Sequence, residues 1–157
     1  MAEETGSEPD EAPGVVIVGA HGGSGASTLA AMLPDPVYDV GPLMAPDGRV
    51  RGVHAHGRPI VLTSRNTVRS AEAASAAIKG LREQGLEAAC LVVVADGVGS
   101  EPREARVRFR MLEGHTTVHR MSYLSLLRTS ESVPPLEELP RKSQSEISQV
   151  LEIVQKA

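Results

Sequence analysis

The chain alternates short unbroken apolar runs with stretches in which apolar residues recur every three or four positions. Residues 15–18, VVIV, form a β-branched run that ends in glycine, as a strand buried on both faces does. Residues 27–33 continue as a helix that Pro34 stops. Residues 59–64, PIVLTS, read as a second buried strand. Val68, Ala71, Ala74, Ile78 and Leu81 then keep helical spacing, predicting a helix over 67–84 with Gly85 where a C-terminal cap belongs. Residues 88–95, AACLVVVA, give the strongest strand signal, ended by Asp96 and Gly97. A helix over 103–112 closed by Gly114, and a strand over 116–121, come next. Ile147, Val150, Leu151 and Val154 mark one face of a last helix. Ser143 followed by Glu146 matches a capping box and sets that helix to 143–156.

Between these elements the pattern weakens. Residues 35–58 are rich in proline, glycine and charge, with only 37–40, VYDV, as a short strand, so they read as a long surface connection. Residues 122–128 read as a short turn or helix and 132–140 as a proline-bracketed loop. Strands alternating with helices, the strands apolar on both faces, predict a three-layer α/β domain with a mostly parallel sheet of about four or five strands. Ligands bind such sheets at the carboxyl ends of the strands, where both Asp96 and the glycine-rich stretch after residue 18 fall.

Composition narrows the reading. A length of 157 residues suits one domain, here 14–157. Residues 1–13 carry Glu3, Glu4, Glu8, Asp10 and Glu11 with no base. Taking these five from the 20 acids leaves 15 against 16 Lys and Arg, a neutral body behind a net charge of −4. That opening stretch reads as a disordered acidic tail rather than a secretory signal. No apolar run is long enough to span a membrane. The single Cys90 excludes an internal disulfide framework, reads as a buried small apolar residue, and suits a reducing cytoplasm. Three aromatics (Tyr38, Phe109 and Tyr123) argue against a base-stacking nucleic-acid surface.

The chemistry is concentrated in 20–30, AHGGSGASTLA. Gly22, Gly23 and Gly25 free backbone amides to approach an anion, and Ser27 and Thr28 stand where hydroxyls hold Mg²⁺ and a phosphate. This stretch resembles the deviant Walker A motif of the ParA/MinD family of P-loop ATPases, xKGGxGKTT, with Gly22, Gly23, Gly25, Ser27 and Thr28 matching. Both lysines are missing: His21 stands at the signature lysine and Ala26 at the phosphate-clamping one. Loops without the clamping lysine also occur in the CpaE/TadZ branch, which acts in localisation. Residues 60–96 are similar to the strand–helix–strand that follows switch II in this family, placing Asp96 where a residue faces the base. Residues 116–140 resemble the next strand and its proline-rich exit. The family's switch I aspartate and Walker B strand are replaced by some 25 residues, in which Asp39 and Gly41 of YDVGP are the sole candidate remnant of a switch.

The resemblance implies a P-loop NTPase-like fold in which residues Gly22, Gly23, Ser24, Gly25, Ala26, Ser27 and Thr28 contact phosphate. Ser27 then holds any Mg²⁺ and Asp96 any base of a bound ATP or other nucleotide. A lysine–phosphate contact contributes about 1.5–3 kcal/mol, so its loss predicts weak nucleotide binding or none and little hydrolysis. His21, mostly neutral at pH 7, replaces it only in part. The expected role is an accessory or positioning factor whose partner is another protein, a second copy of the chain included. The same letters resemble the GAxGGxG loop of short-chain dehydrogenases. That alternative, an NAD(P)-binding oxidoreductase, lacks a Tyr-x-x-x-Lys pair, and Asp39 reads as too early and in a loop to serve as the ribose-binding acid. His54 and His56, with His115 and His119, are candidate metal ligands if the H-x-H lies on a strand. Arg103, Arg106 and Arg110 share a helical face, with Arg108, Arg120 and Arg128 nearby, as a solvated surface or an acidic-partner patch.

Overall fold

The computed structural model describes residues 14–97, 99–122, 134 and 136–157. Residues 1–13, 98, 123–133 and 135, which include the acidic tail, Arg128 and parts of the stretches read at 122–128 and 132–140, lie outside the described residues. The elements are β1 (Val15–Gly19), α1 (Ala26–Met32), β2 (Val37–Pro42), β3 (Ile60–Arg65), α2 (Val68–Arg82), β4 (Ala88–Val94), α3 (Arg103–Leu112), β5 (Thr117–Met121), a 3₁₀ turn (Leu136–Glu138) and α4 (Arg141–Lys156).

The five strands form one sheet in the order β2-β1-β3-β4-β5, and every neighbouring pair is parallel. The chain leaves β1 for β2 on one side and returns to β3 on the other. The order therefore reverses at β1, and the crevice at the carboxyl ends of β1 and β3 is the switch point where such sheets place ligands.

Both faces of the sheet are covered, which makes the domain three-layered. Successive residues of a strand point to opposite faces. Val16 and Val18 enter a core with Ile78 and Leu81 of α2 and Ala105 and Phe109 of α3. Val15 and Ile17 enter a second core with Leu29 and Met32 of α1 and Ile147 and Val150 of α4. Each fully buried Val, Ile or Leu contributes about 1.5–3 kcal/mol, so a strand with no polar face is stable only between two helical layers. Among the described residues no helix is long and apolar enough to cross a membrane.

Three expectations need correction. The stretch 35–58 is not simply a surface connection: 37–42 pair with β1 as an edge strand, with Val15 opposite Val37 and Ile17 opposite Asp39. Beyond it Leu43 and Ala55 are buried against α2. A Cβ on Gly80 would meet Leu43 and Val50 at 3.2 and 3.3 Å, so the helix carries glycine where the connection crosses it. The Gln84 side chain fastens the segment from both sides, accepting from the Val53 N–H and donating to the Arg51 carbonyl, each at 2.9 Å.

The capping box at Ser143 and Glu146 does not form. α4 begins one turn's edge earlier, after Pro140, whose φ of −56° suits a helix entry, and Ser143 is buried inside the helix. Glu146 is engaged elsewhere: its carboxylate accepts the Ser122 N–H at 3.1 and 3.2 Å and the Ser122 hydroxyl at 2.9 Å. The His119 ring nitrogen donates to the Glu146 carbonyl at 3.1 Å, so α4 is tied to the end of β5 instead. His54 and His56 are not on a strand. His54 lies in irregular chain and His56 begins a turn with a φ of +55°, and no group of three potential ligands forms a metal cluster among the described residues.

α2 follows its pattern closely. The Thr67 hydroxyl accepts the Ser70 N–H at 3.1 Å as an N-terminal cap. At the other end Gly85, φ +77°, lets the Leu86 N–H reach back to the Leu81 carbonyl at 2.9 Å.

Candidate functional site

β1 ends at Gly19 and the chain turns through 20–25 into α1. The loop is pinned to the neighbouring strand by a buried side-chain pair, Ser24 Oγ and Thr63 Oγ1, 2.7 Å apart. Gly19 makes this possible, because a Cβ there would lie 2.7 Å from Ser24 Oγ. Gly25 enters α1 at φ +99°, a conformation that L side chains rarely adopt, and a Cβ there would meet the Val94 side chain of β4 at 3.2 Å. The glycines near the middle of the loop serve differently. An added Cβ on Gly22 or Gly23 would meet nothing within 4 Å, so that part of the loop is open.

A cleft of about 230 Å³ lies over this loop, lined by His21, the stretch from Gly22 to Thr28, Asp39, Gly41, Pro42 and Arg65. Gly22, Gly23, Ser24, Gly25, Ala26, Ser27 and Thr28 all line it. Ser27 and its neighbours face the cleft from α1. Ala26 lines it too, while packing with 9 % exposure into the core beneath the sheet.

Asp39 joins them. It sits on β2, beside β1, and its Oδ2 accepts a hydrogen bond from Ser27 Oγ at 3.1 Å while Oδ1 accepts the Gly41 N–H at 3.0 Å. Its place on a strand corrects the reading that put it in a loop. A serine hydroxyl and a carboxylate side by side are the protein donors that P-loop proteins offer Mg²⁺, with phosphate oxygens and water completing the shell. The donor set therefore fits such an ion when a phosphate ligand supplies the rest.

Asp96 is not part of this cleft. It is exposed at the end of β4, in a separate shallow concavity with Asn66, Thr67, Gly97, Gly99, Ser100 and Pro102. Its N–H donates to Asn66 Oδ1 at 2.9 Å.

The histidine is a brace. His21 Nδ1 lies 2.9 Å from the Gly22 carbonyl, and Nε2 accepts the Arg65 N–H at 3.4 Å. A neutral ring with its proton on Nδ1 satisfies both contacts. Arg65, at the end of β3, is the residue sequence reasoning passed over, since it reads as the polar end of an apolar strand. Its Nε donates to the Gly23 carbonyl at 3.0 Å and its Nη1 to the Ala95 carbonyl at 3.3 Å.

Burial pushes the Cys90 thiol up to about 12, so it is no nucleophile. Of the arginine patch, Arg103, Arg106 and Arg110 have no carboxylate partner among the described residues, while the nearby Arg108 and Arg120 are paired. Glu101 takes Arg120 in two bonds of 3.2 and 3.1 Å, and Arg108 pairs with Glu72 and Glu104 at 3.4 and 3.1 Å. No protein-family model matches the chain, and neither do characterised protein sequences or solved structures.

Proposed function

We propose that this chain is a degenerate P-loop domain, similar to the ParA/MinD type, that holds the phosphate end of a nucleotide weakly with Mg²⁺. It serves as an accessory or positioning factor for a protein partner rather than as an ATPase. The observation that carries this reading is the Ser27–Asp39 pair in the cleft of a glycine loop. β2 is adjacent and parallel to β1, the strand that feeds the loop, and presents its carboxylate to the serine at the start of α1. Mg²⁺ bound there offsets the charge of phosphate oxygens. Ser27 and Asp39 hold it, and the loop amides receive the phosphate. Turnover is not expected, because Asp39 is the sole carboxylate among the described residues that line the cleft, leaving no second one to orient water.

One observation favours a second reading. A carboxylate on the strand beside β1 also suits the ribose of a dinucleotide, so Asp39 answers one objection to the oxidoreductase alternative. The missing Tyr-x-x-x-Lys pair still counts against it. Calorimetric titration with ATP, GTP, NADH and NADPH, each with Mg²⁺ and with EDTA, separates the two. Nucleoside triphosphate binding that needs Mg²⁺ supports the P-loop reading. NADH or NADPH binding indifferent to EDTA, without triphosphate binding, replaces it with the dinucleotide one.

A further inference from the structure

We propose that Arg65 is the phosphate-clamping cation of the cleft, supplying from β3 the charge that Ala26 does not supply from the loop; this rests on the nucleotide reading above. β3 adjoins β1 in parallel, with Thr63 opposite Gly19, so the end of β3 and the glycine loop open on the same edge of the sheet. Arg65 lines the cleft with that loop and is the only arginine or lysine among the described residues that do.

Its guanidinium is poised rather than consumed. Both of its hydrogen bonds go to neutral carbonyls, of Gly23 and Ala95, and no carboxylate pairs with it among the described residues. A guanidinium has five N–H donors, and these two bonds leave three for a ligand. Its planar fork matches two phosphate oxygens at once, which an ammonium does not. The opposite wall carries the Ser27–Asp39 pair, so a bound polyphosphate meets a fixed cation from β3 and a metal-binding pair from α1 and β2. Besides the Arg65–Gly23 bond, the loop is held to β3 by Ser24–Thr63 and by His21 accepting the Arg65 backbone N–H, neither of which uses the guanidinium.

The test is calorimetric titration of the full chain with Mg²⁺-ATP and with inorganic tripolyphosphate, for the wild type, Arg65→Gln and Arg65→Lys, alongside ligand-free melting curves. Arg65→Gln should weaken both probes about tenfold or more and flatten the salt dependence of binding, with Arg65→Lys recovering part of the loss. Ligand-free Tm should stay within about 2 °C. If the wild type binds and Arg65→Gln binds equally well, Arg65 is not the clamp, while the nucleotide reading survives. If the wild type binds neither probe, both fall. Equal losses in Arg65→Gln and Arg65→Lys, with Tm lower by several degrees, would reassign Arg65 as a brace of the loop.

Discussion

Ser27 and Asp39 come from different layers of the domain, one on α1 and one on edge strand β2, yet their side chains meet at 3.1 Å. The register that pairs Ile17 with Asp39 and Gly19 with Pro42 sets Asp39 two residues short of the end of β1, and its carboxylate still lines the cleft over the loop that follows. Asp39 is exposed, and its other carboxylate oxygen accepts the Gly41 N–H at 3.0 Å, so the turn after it holds the side chain toward Ser27.

Asp39→Asn should therefore abolish the Mg²⁺ dependence of nucleotide binding. The amide keeps an acceptor for the Gly41 N–H, so the turn after Asp39 survives and only the charge is lost. In the wild type, ATP affinity should fall when EDTA replaces Mg²⁺. In the variant the two calorimetric titrations should coincide at the weaker value, with an unchanged melting curve. A variant that retains the full Mg²⁺ effect places the metal elsewhere.

The Ser24–Thr63 pair gives a prediction about stability. Both residues are buried and their hydroxyls are 2.7 Å apart. Thr63→Val keeps the shape and strands Ser24 Oγ without a partner, which costs about 1–3 kcal/mol. Adding Ser24→Ala removes the orphaned hydroxyl and should restore part of that loss, since neighbouring sites are not additive. Denaturant midpoints of the two single variants and the double variant check it. Additive losses would mean that the hydroxyls do not depend on each other.

The three-layer plan was legible because its signals are local. The run 15–18, the stripe from Val68 to Leu81 and the run 88–95 each declare an element without reference to the rest of the chain. The glycine loop was legible for the same reason. What escaped was tertiary. Asp39 belongs to an edge strand whose pairing with β1 decides its position, and a half-exposed strand beside prolines carries little apolar pattern. Arg65 gains its meaning only from the parallel register of β3 with β1. Glu146 has the spacing of a capping residue, but the open backbone N–H of Ser122 at the end of β5 competes for its carboxylate and wins.

Cys90 predicts an alkaline pH dependence. Its thiol is fully buried on β4, and desolvation raises it from an ordinary 9.0 to about 12. Between those values the unfolded chain releases a proton that the folded chain keeps, so stability falls as pH rises from about 9 to 12 and is intact below 9. Urea unfolding across that range should show a steeper decline for the wild type than for Cys90→Ala. In the native state at pH 8 the thiol should also resist a disulfide-exchange reagent until the protein unfolds. Rapid native-state labelling would show that β4 is less enclosed than it stands here.

Ala26→Lys asks whether the cleft keeps the geometry of a phosphate clamp. Ala26 has its Cβ among apolar neighbours that include Leu29 and Met32, and it also lines the cleft. A lysine there lays its methylenes along those neighbours and sends its ammonium outward, the usual disposition of a long basic side chain. Mg²⁺-ATP affinity should rise about tenfold or more, the worth of one charge-assisted contact. Combined with Arg65→Gln, the same lysine should recover most of the affinity that the glutamine removes, because both cations answer the same ligand charge. Phosphate release should stay slow in all of these variants, since the added lysine brings charge but nothing to orient an attacking water. Calorimetry checks the affinities and a phosphate-release assay the turnover. No gain from the lysine would mean that the loop has lost its phosphate geometry and survives as a turn, whereas brisk release would make Asp39 a catalytic residue as well as a metal ligand.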